Sequence, residues 1–119
     1  IKSCEVEEIT KIENFYNLTH LELININVSD FKFLKRLKKL KVLKIINVKD
    51  ISKEKLDFEL PIEYLSIKGL EKLDIEFFDN YKKLKTFSIP REKDEEWYNI
   101  LKQVEKQNIN ILIDDIYDF

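Results

Sequence analysis

The sequence predicts an α/β fold: a solenoid with about five parallel strands on one face and short helical or 3₁₀ returns on the other. Three observations predict this class. Apolar residues repeat every 22 positions, the leucine spacing fits neither a long helix nor a long strand, and 44% of the residues are hydrophobic. With 119 residues the chain has the length of a single domain, and it is apolar enough to bury one core.

The repeat appears when the sequence is shifted against itself by 22 residues. Positions that coincide after this shift form a column. Three columns are apolar in every unit: Leu21, Leu43, Leu65, Phe87 and Ile109; Ile1, Leu23, Ile45, Ile67, Ile89 and Ile111; Ile12, Leu34, Leu56, Phe78 and Ile100. In a chain of this composition, a column of five is fully apolar by chance roughly 2% of the time. The repeat is therefore real, and each unit is too short to bury its apolar side without its neighbours.

The stretch FLKRLKKLKVLKII, from Phe33 to Ile46, shows how one unit folds. Its first leucines are three residues apart, which suits a tight 3₁₀ or helical turn. Leu43 and Ile45 are two apart, which is the alternation of a short strand. We therefore expect strands centred near residues 21–23, 43–45, 65–67, 87–89 and 109–111. The units run over residues 18–39, 40–61, 62–83 and 84–105, with partial units at 1–17 and 106–119.

The last complete unit departs from the pattern. Its segment DEEWYNILKQVEK places four apolar residues on one face of an α-helix: Trp97, Ile100, Leu101 and Val104. Acidic residues 94–96 precede them, and Lys102 and Lys106 lie towards the end, which is the charge order that a helix dipole favours. We expect an α-helix of about three turns that caps the core.

The columns resemble the leucine-rich repeat family, whose unit reads L-x-x-L-x-L-x-x-N/C-x-L. Its apolar positions fall on Leu18, Leu21, Leu23 and Val28, on Leu40, Leu43 and Ile45, and on Leu84, Phe87 and Ile89. The resemblance is to the short class with 22-residue units. It implies a curved solenoid whose concave strand face binds a partner protein, with the returns on the convex side.

The asparagine or cysteine position of that family unit is where this chain differs. It falls on Cys4, Ile26, Val48 and Leu70, and only Cys4 conforms. An aliphatic side chain cannot hydrogen-bond the backbone of the turn, so the turns need other partners. Asn25 and Asn47, one position earlier, are expected to supply part of them.

The resemblance implies that partner binding lies on the outward strand face, formed by the strand residues that point away from the core. Its predicted members are His20, Glu22, Ile24, Val42, Lys44, Ile46, Tyr64, Ser66, Lys68, Thr86 and Ser88. Stacking should set His20, Val42, Tyr64 and Thr86 side by side, and Ile24 beside Ile46. We expect an exposed apolar patch with a charged rim, which is typical of a docking surface. Scattered surface apolar residues that need no partner are the alternative interpretation.

No catalytic, cofactor or metal site is predicted. His20 is the only histidine and Cys4 the only cysteine, so neither can join a cluster of such ligands. Asp114, Asp115 and Asp118 have the carboxylates that Mg²⁺ prefers, but no second carboxylate motif or phosphate-binding loop accompanies them. We expect a protein that is not an enzyme and has no small-molecule substrate.

Two other functions stay open. A basic cluster, Lys35, Arg36, Lys38, Lys39, Lys41 and Lys44, with Lys82, Lys83 and Lys85 two units later, has the charge to bind nucleic acid or an acidic membrane. It lacks interleaved aromatic residues, and the net charge of −2 argues against a general binder of polyanions. The chain could also be a structural spacer within a larger protein.

Location and assembly are weakly constrained by composition. No signal peptide is visible in the sequence, and there is no apolar run of about 18 residues and no second cysteine for an internal disulfide. These features favour an intracellular protein that is a monomer or part of a larger chain.

Overall fold

The structure, a computed structural model, describes residues 16–25, 31–48, 51–57, 59–70, 72–93 and 95–114. These residues form an α/β fold with a parallel sheet and few helices. The strands are β1 (His20–Ile24), β2 (Val42–Ile46), β3 (Tyr64–Lys68), β4 (Thr86–Pro90) and β5 (Asn110–Asp114). Their order in the sheet is β1-β2-β3-β4-β5, and every neighbouring pair is parallel, as predicted.

Short returns connect the strands. Their described residues form 3₁₀ segments at Lys32–Arg36, Lys53–Leu56, Ile75–Asn80 and Arg91–Lys93, and the α-helix α1 (Tyr98–Glu105). The N–H of Leu37 donates to the carbonyl of Leu34 at 3.0 Å, and the N–H of Leu40 donates to that of Leu37 at 3.1 Å. Bonds between residues three apart define the tight turn that the leucine spacing predicts.

The 22-residue repeat is also a repeat of backbone hydrogen bonds. The carbonyl of Thr19 accepts bonds from the N–H groups of Lys41, at 2.8 Å, and Val42, at 3.0 Å. The same forked pair recurs, with the same distances, at the carbonyls of Lys41 and Glu63. β2, β3 and β4 therefore each begin with the same hydrogen bonds to the unit before them.

The prediction for the last strand was wrong by two residues. Phe87 pairs with Ile111, 24 positions on, and not with Ile109. The unit between them contains α1, which spans eight residues and so about two turns rather than three. It then contains Asn108 in the left-handed region, with φ 65°. Because the shift is even, β5 keeps Ile111 and Ile113 on the core side.

One apolar core lies between the sheet and the returns. It joins the strand residues Leu21, Leu23, Leu43, Ile45, Leu65, Ile67, Phe87 and Ile89 to return residues that include Leu34, Leu37, Phe77, Phe78, Trp97, Leu101 and Val104. The rings of Phe78 and Phe87 meet edge to face, with centroids 5.0 Å apart. The hydroxyl of buried Tyr81 donates to the carbonyl of Leu56 at 2.8 Å, so neighbouring returns are joined inside the core.

A left-handed residue follows each of the first three strands. Asn25 has φ 56°, Asn47 has φ 55° and Gly69 has φ 112°. Asparagine and glycine tolerate this region, which other residues rarely adopt. The side-chain amide of Asn47 donates to that of Asn25, and the N–H of Asn25 donates to the carbonyl of Ile46 at 3.0 Å. The two asparagine side chains therefore bond to each other across neighbouring units, and their expected role as partners of the turn backbone stays a prediction.

Several predictions fall on residues outside the described ranges. These are the column positions Ile1 and Ile12, the motif positions Cys4, Ile26 and Val28, the acidic residue Asp94, and Asp115 and Asp118 near the end of the chain.

Candidate functional site

The outward strand face consists of the even-numbered strand residues, which do not belong to the core. Two rows cross all five strands. The first row is His20, Val42, Tyr64, Thr86 and Asn110, and the second row is Glu22, Lys44, Ser66, Ser88 and Leu112. Ile24 pairs with Ile46 beyond these rows. The side-by-side placement predicted for His20, Val42, Tyr64 and Thr86 is the one observed.

The first row is accessible along its whole length. His20 and Asn110 are exposed at its two ends, and Val42, Tyr64 and Thr86 between them are half-buried. A half-buried tyrosine offers a large apolar ring and a hydroxyl to a partner, while neighbouring residues pack against the part of its side chain nearest the backbone.

Charged groups on this face already interact with one another. Nε2 of His20 lies 3.0 Å from Oε2 of Glu22, two residues on along β1. Nζ of Lys44 lies 5.8 Å from the ring centroid of Tyr64, within the range of a cation–π interaction. These contacts restrict the side chains before any partner arrives, which lowers the entropy that binding would cost.

Part of the predicted exposed patch was wrong. Ile24 is 3% exposed and Ile46 is 6% exposed. They are paired on adjacent strands, so each side chain can cover only part of the other. Val42 and Tyr64 are half-buried, so the apolar part of the surface is narrower than expected.

The two serines of the second row are also buried. Ser66 is 3% exposed and Ser88 is 2% exposed. A serine projects less far from the sheet than a tyrosine or a lysine, and Tyr64 and Lys68 lie on either side of Ser66 on the same face. The accessible members of the predicted set are therefore His20, Glu22, Val42, Lys44, Tyr64, Lys68 and Thr86.

Two residues of these rows, Asn110 and Leu112, were missed by the sequence analysis. Both are exposed, and Leu112 is 42% exposed. The signal was present, because they alternate with Ile111 and Ile113 as the face residues of the other strands alternate with core residues.

The basic cluster does not lie on one element. Lys35 and Arg36 lie on a 3₁₀ segment, Lys38, Lys39 and Lys41 on the turn before β2, and Lys44 on the outward strand face. Nζ of Lys39 donates to Oδ1 of Asn17 at 2.9 Å.

The second basic group is partly neutralised. Nζ of Lys85 lies 3.1 Å from Oε1 of Glu63, and this hydrogen bond and charge hold the pKa of the exposed Glu63 carboxyl below its ordinary value. An ion pair of this kind reduces the attraction of the surface for phosphates.

An acidic cleft of about 180 Å³ lies between two returns. It is lined by Glu54, Asp57, Asp74, Glu76, Phe77 and Asn80. Asp74 accepts a bond from the N–H of Phe77 at 3.0 Å, and Asn80 donates to Asp57 at 2.9 Å. Two of the carboxylates therefore stabilise the returns themselves.

Within the described part of the chain, no group of three or more histidine, cysteine or acidic residues is placed to hold a metal ion. Among those residues there is also no helix that is both long and apolar enough to cross a membrane.

Comparison of the chain with protein-family models, with curated proteins and with solved structures finds no match. What the outward strand face does must therefore follow from its own chemistry. Its accessible groups are a tyrosine ring, a valine, hydrogen-bonding side chains and charges of both signs, a set suited to non-covalent recognition.

Proposed function

We propose that this chain is a segment of a leucine-rich-repeat solenoid whose outward strand face binds another protein, without chemistry of its own. One observation carries the proposal. The first row is accessible on all five strands, on the side of the sheet opposite the core. A parallel sheet is normally covered on both faces, so an accessible face that carries a tyrosine and a valine suits a protein partner.

The repeat geometry supports the solenoid. Strands appear in sequence order, their registers advance by 22 residues from β1 to β4, and the forked hydrogen bonds recur at the starts of β2, β3 and β4. The returns from 32 to 80 are 3₁₀ turns, which take up less width than α-helices. The concave side of a stack is the side on which the units lie closer together. Strands pair about 4.8 Å apart, so in the proposed solenoid returns wider than this spacing put the strand face on the concave side.

Tyr64 is the proposed centre of the interface. It lies between Val42 and Thr86 in the first row, and Lys44 approaches its ring. Tyrosine is among the residues that most often dominate binding energy when they lie near the middle of an interface. Glu22, Lys44 and Lys68 lie on the same face, and charges on an interface set orientation and partner choice more than affinity.

The test is affinity capture from an extract of the source cells, quantified by mass spectrometry. The baits are the wild type, Tyr64→Asp, and Tyr98→Asp as a matched control. Tyr98 is 55% exposed on α1, so its variant introduces the same charge off the strand face. Circular dichroism checks that all three baits are folded.

The proposal predicts a protein that the wild type and Tyr98→Asp retain and Tyr64→Asp loses. Identical protein sets on all three folded baits would contradict it and would favour a spacer role. A protein lost only from Tyr98→Asp would move recognition to the return side.

A further inference from the structure

Four short turns form one edge of the sheet, which we call the turn edge: residues 16–19, 38–41, 60–63 and 82–85. Each turn directly precedes a strand, from β1 to β4. Because the strands are parallel, the turns lie at the same end of the sheet. Their sequences are YNLT, KKLK, LPIE and KKLK, so the same tetrapeptide occurs before β2 and before β4.

The two KKLK turns have the same backbone structure. The N–H of Leu40 donates to the carbonyl of Leu37 at 3.1 Å, and the N–H of Leu84 donates to that of Tyr81 at 3.0 Å. Leu40 and Leu84 are buried, so they hold the turns against the core. The three lysines of each turn are exposed: Lys38, Lys39 and Lys41; Lys82, Lys83 and Lys85. The two sets are two strand spacings apart, about 10 Å.

Positive charge is concentrated on this edge. The four turns contain six lysines and one acidic residue, Glu63, so their net charge is +5, whereas the whole chain carries −2. Glu63 pairs with Lys85, whose Nζ lies 3.1 Å from Oε1. Lys39 donates to the neutral amide of Asn17, which leaves its charge uncancelled. The turn edge is therefore a positive surface on an acidic chain, and such a surface attracts anions at long range.

We propose that the turn edge docks on a bilayer that contains acidic phospholipids, with the strands roughly normal to the membrane plane. Equivalent turns of a regular sheet lie in line, so both sets of lysines can reach one flat anionic surface together. Clusters of four to eight basic residues are typical of proteins that bind acidic lipids in this way.

The composition of the turn edge favours a membrane over a nucleic acid. All six of its cations are lysines, which act as point charges, whereas arginine is preferred for recognition of nucleic acids. Turns 38–41, 60–63 and 82–85 also contain no aromatic residue on which bases could stack.

Tyr16 places an aromatic residue at one end of the turn edge. It holds the position that Lys38 holds one unit later, and it is 57% exposed. Tyrosine is enriched where a membrane meets water, because its ring is apolar and its hydroxyl stays hydrated. The ring therefore fits the headgroup level, beside lysines that attract the lipid phosphates.

This surface is separate from the proposed protein interface and from the two ends of the sheet. The outward strand face is formed by other residues, so the inference does not rest on the proposed function. Further units before β1 or after β5 would stack on those strands. The turns before β2 and β4 lie between them and would stay accessible.

The first test is co-sedimentation of the 119-residue chain with phosphatidylcholine vesicles that contain about 30% phosphatidylserine. The edge variant is Lys38→Gln with Lys83→Gln, and the matched control is Lys72→Gln with Lys102→Gln, which removes two exposed positive charges off the turn edge. A lysine near such a surface contributes roughly fivefold in affinity. The edge variant should therefore bind about 25-fold more weakly than the wild type, and the control within about threefold.

Binding should occur at about 0.1 M salt, disappear at about 0.5 M and be absent from pure phosphatidylcholine vesicles. A wild type that does not bind the acidic vesicles would overturn the proposal. Equal losses in the two double variants would also overturn it, because only net charge would then matter. Binding to a single-stranded or duplex oligonucleotide by a chain that does not bind vesicles would overturn it and assign the turn edge to nucleic acid.

The second test measures the orientation of the bound chain in a Cys4→Ser background. A fluorophore is attached at Asn17→Cys on the turn edge or, as control, at Gln103→Cys, an exposed position on α1. Lipids that carry a spin label on the headgroup should quench the label at residue 17 and leave the label at residue 103 unchanged. Equal quenching of the two labels would contradict docking through the turn edge.

Discussion

At the scale of single residues, the Tyr81 hydroxyl is the polar group most firmly placed in the core. Tyr81 is 1% exposed and donates to the carbonyl of Leu56 at 2.8 Å. Tyr81→Phe keeps the ring and removes this buried hydrogen bond. We expect the free energy of unfolding in urea to fall by about 1–3 kcal/mol at pH 7.

The same residue makes stability depend on alkaline pH. Burial, and next the charge of Asp57, raise the pKa of Tyr81 above its ordinary value. The neutral hydroxyl is therefore favoured in the folded state. Its contribution to stability is complete below the ordinary tyrosine pKa of about 10 and is lost as pH rises further. Urea unfolding of wild type and Tyr81→Phe between pH 9 and about 11 checks this. A difference in stability that does not shrink over this range would contradict the assignment.

Residue types predicted the turns only in part. Asn25 and Asn47 are two residues that tolerate positive φ, and their 22-residue spacing pointed to a shared role. Gly69 continues the same column. A Cβ on Gly69 would meet Ile51 at an ordinary 3.5 Å, so its backbone angle and not the available space favours glycine. The Tyr81 hydrogen bond was not predictable, because it depends on how two returns pack.

At the scale of elements, stacking of equivalent strands supplies the core. Leu43 is 0% exposed and lies in register between Leu21 and Leu65. Leu43→Ala opens a cavity between β1 and β3, so the free energy of unfolding in urea should fall by about 2–5 kcal/mol. Lys38→Ala, an exposed change on the turn before β2, should stay within about 0.5 kcal/mol of the wild type. An unfolding midpoint that Leu43→Ala leaves unchanged would show that the core assignment is wrong.

The structure of the return before β5 explains why the predicted register of that strand was wrong by two residues. Ile109, Ile111 and Ile113 alternate evenly, so the apolar pattern fits β5 equally well in either of two registers. The return before it decides between them. An α-helix rises about 1.5 Å per residue and a 3₁₀ turn about 2.0 Å, so a return built on α1 needs more residues to span the same distance. The apolar stripe from Trp97 to Val104 predicted the helix, but the added length follows only from its packing.

At the scale of the whole molecule, the sequence predicted the parallel sheet, its order and the neighbours within the outward strand face. Alternation and period determine these features, because each residue's side of the sheet follows from its position in the unit. Exposure did not follow in the same way. Ile24, Ile46, Ser66 and Ser88 are buried although they occupy outward positions, and periodicity alone does not predict this.

The most direct test of the central claim is the dissociation constant of the captured partner for three forms of the chain. Titration calorimetry would compare the wild type, Tyr64→Asp on the outward strand face and Lys38→Glu in the basic cluster. If the strand face binds, Tyr64→Asp should weaken binding at least about tenfold, and Lys38→Glu no more than about twofold. Equal affinity of wild type and Tyr64→Asp, with a large loss for Lys38→Glu, would contradict the proposal and place recognition on the basic cluster.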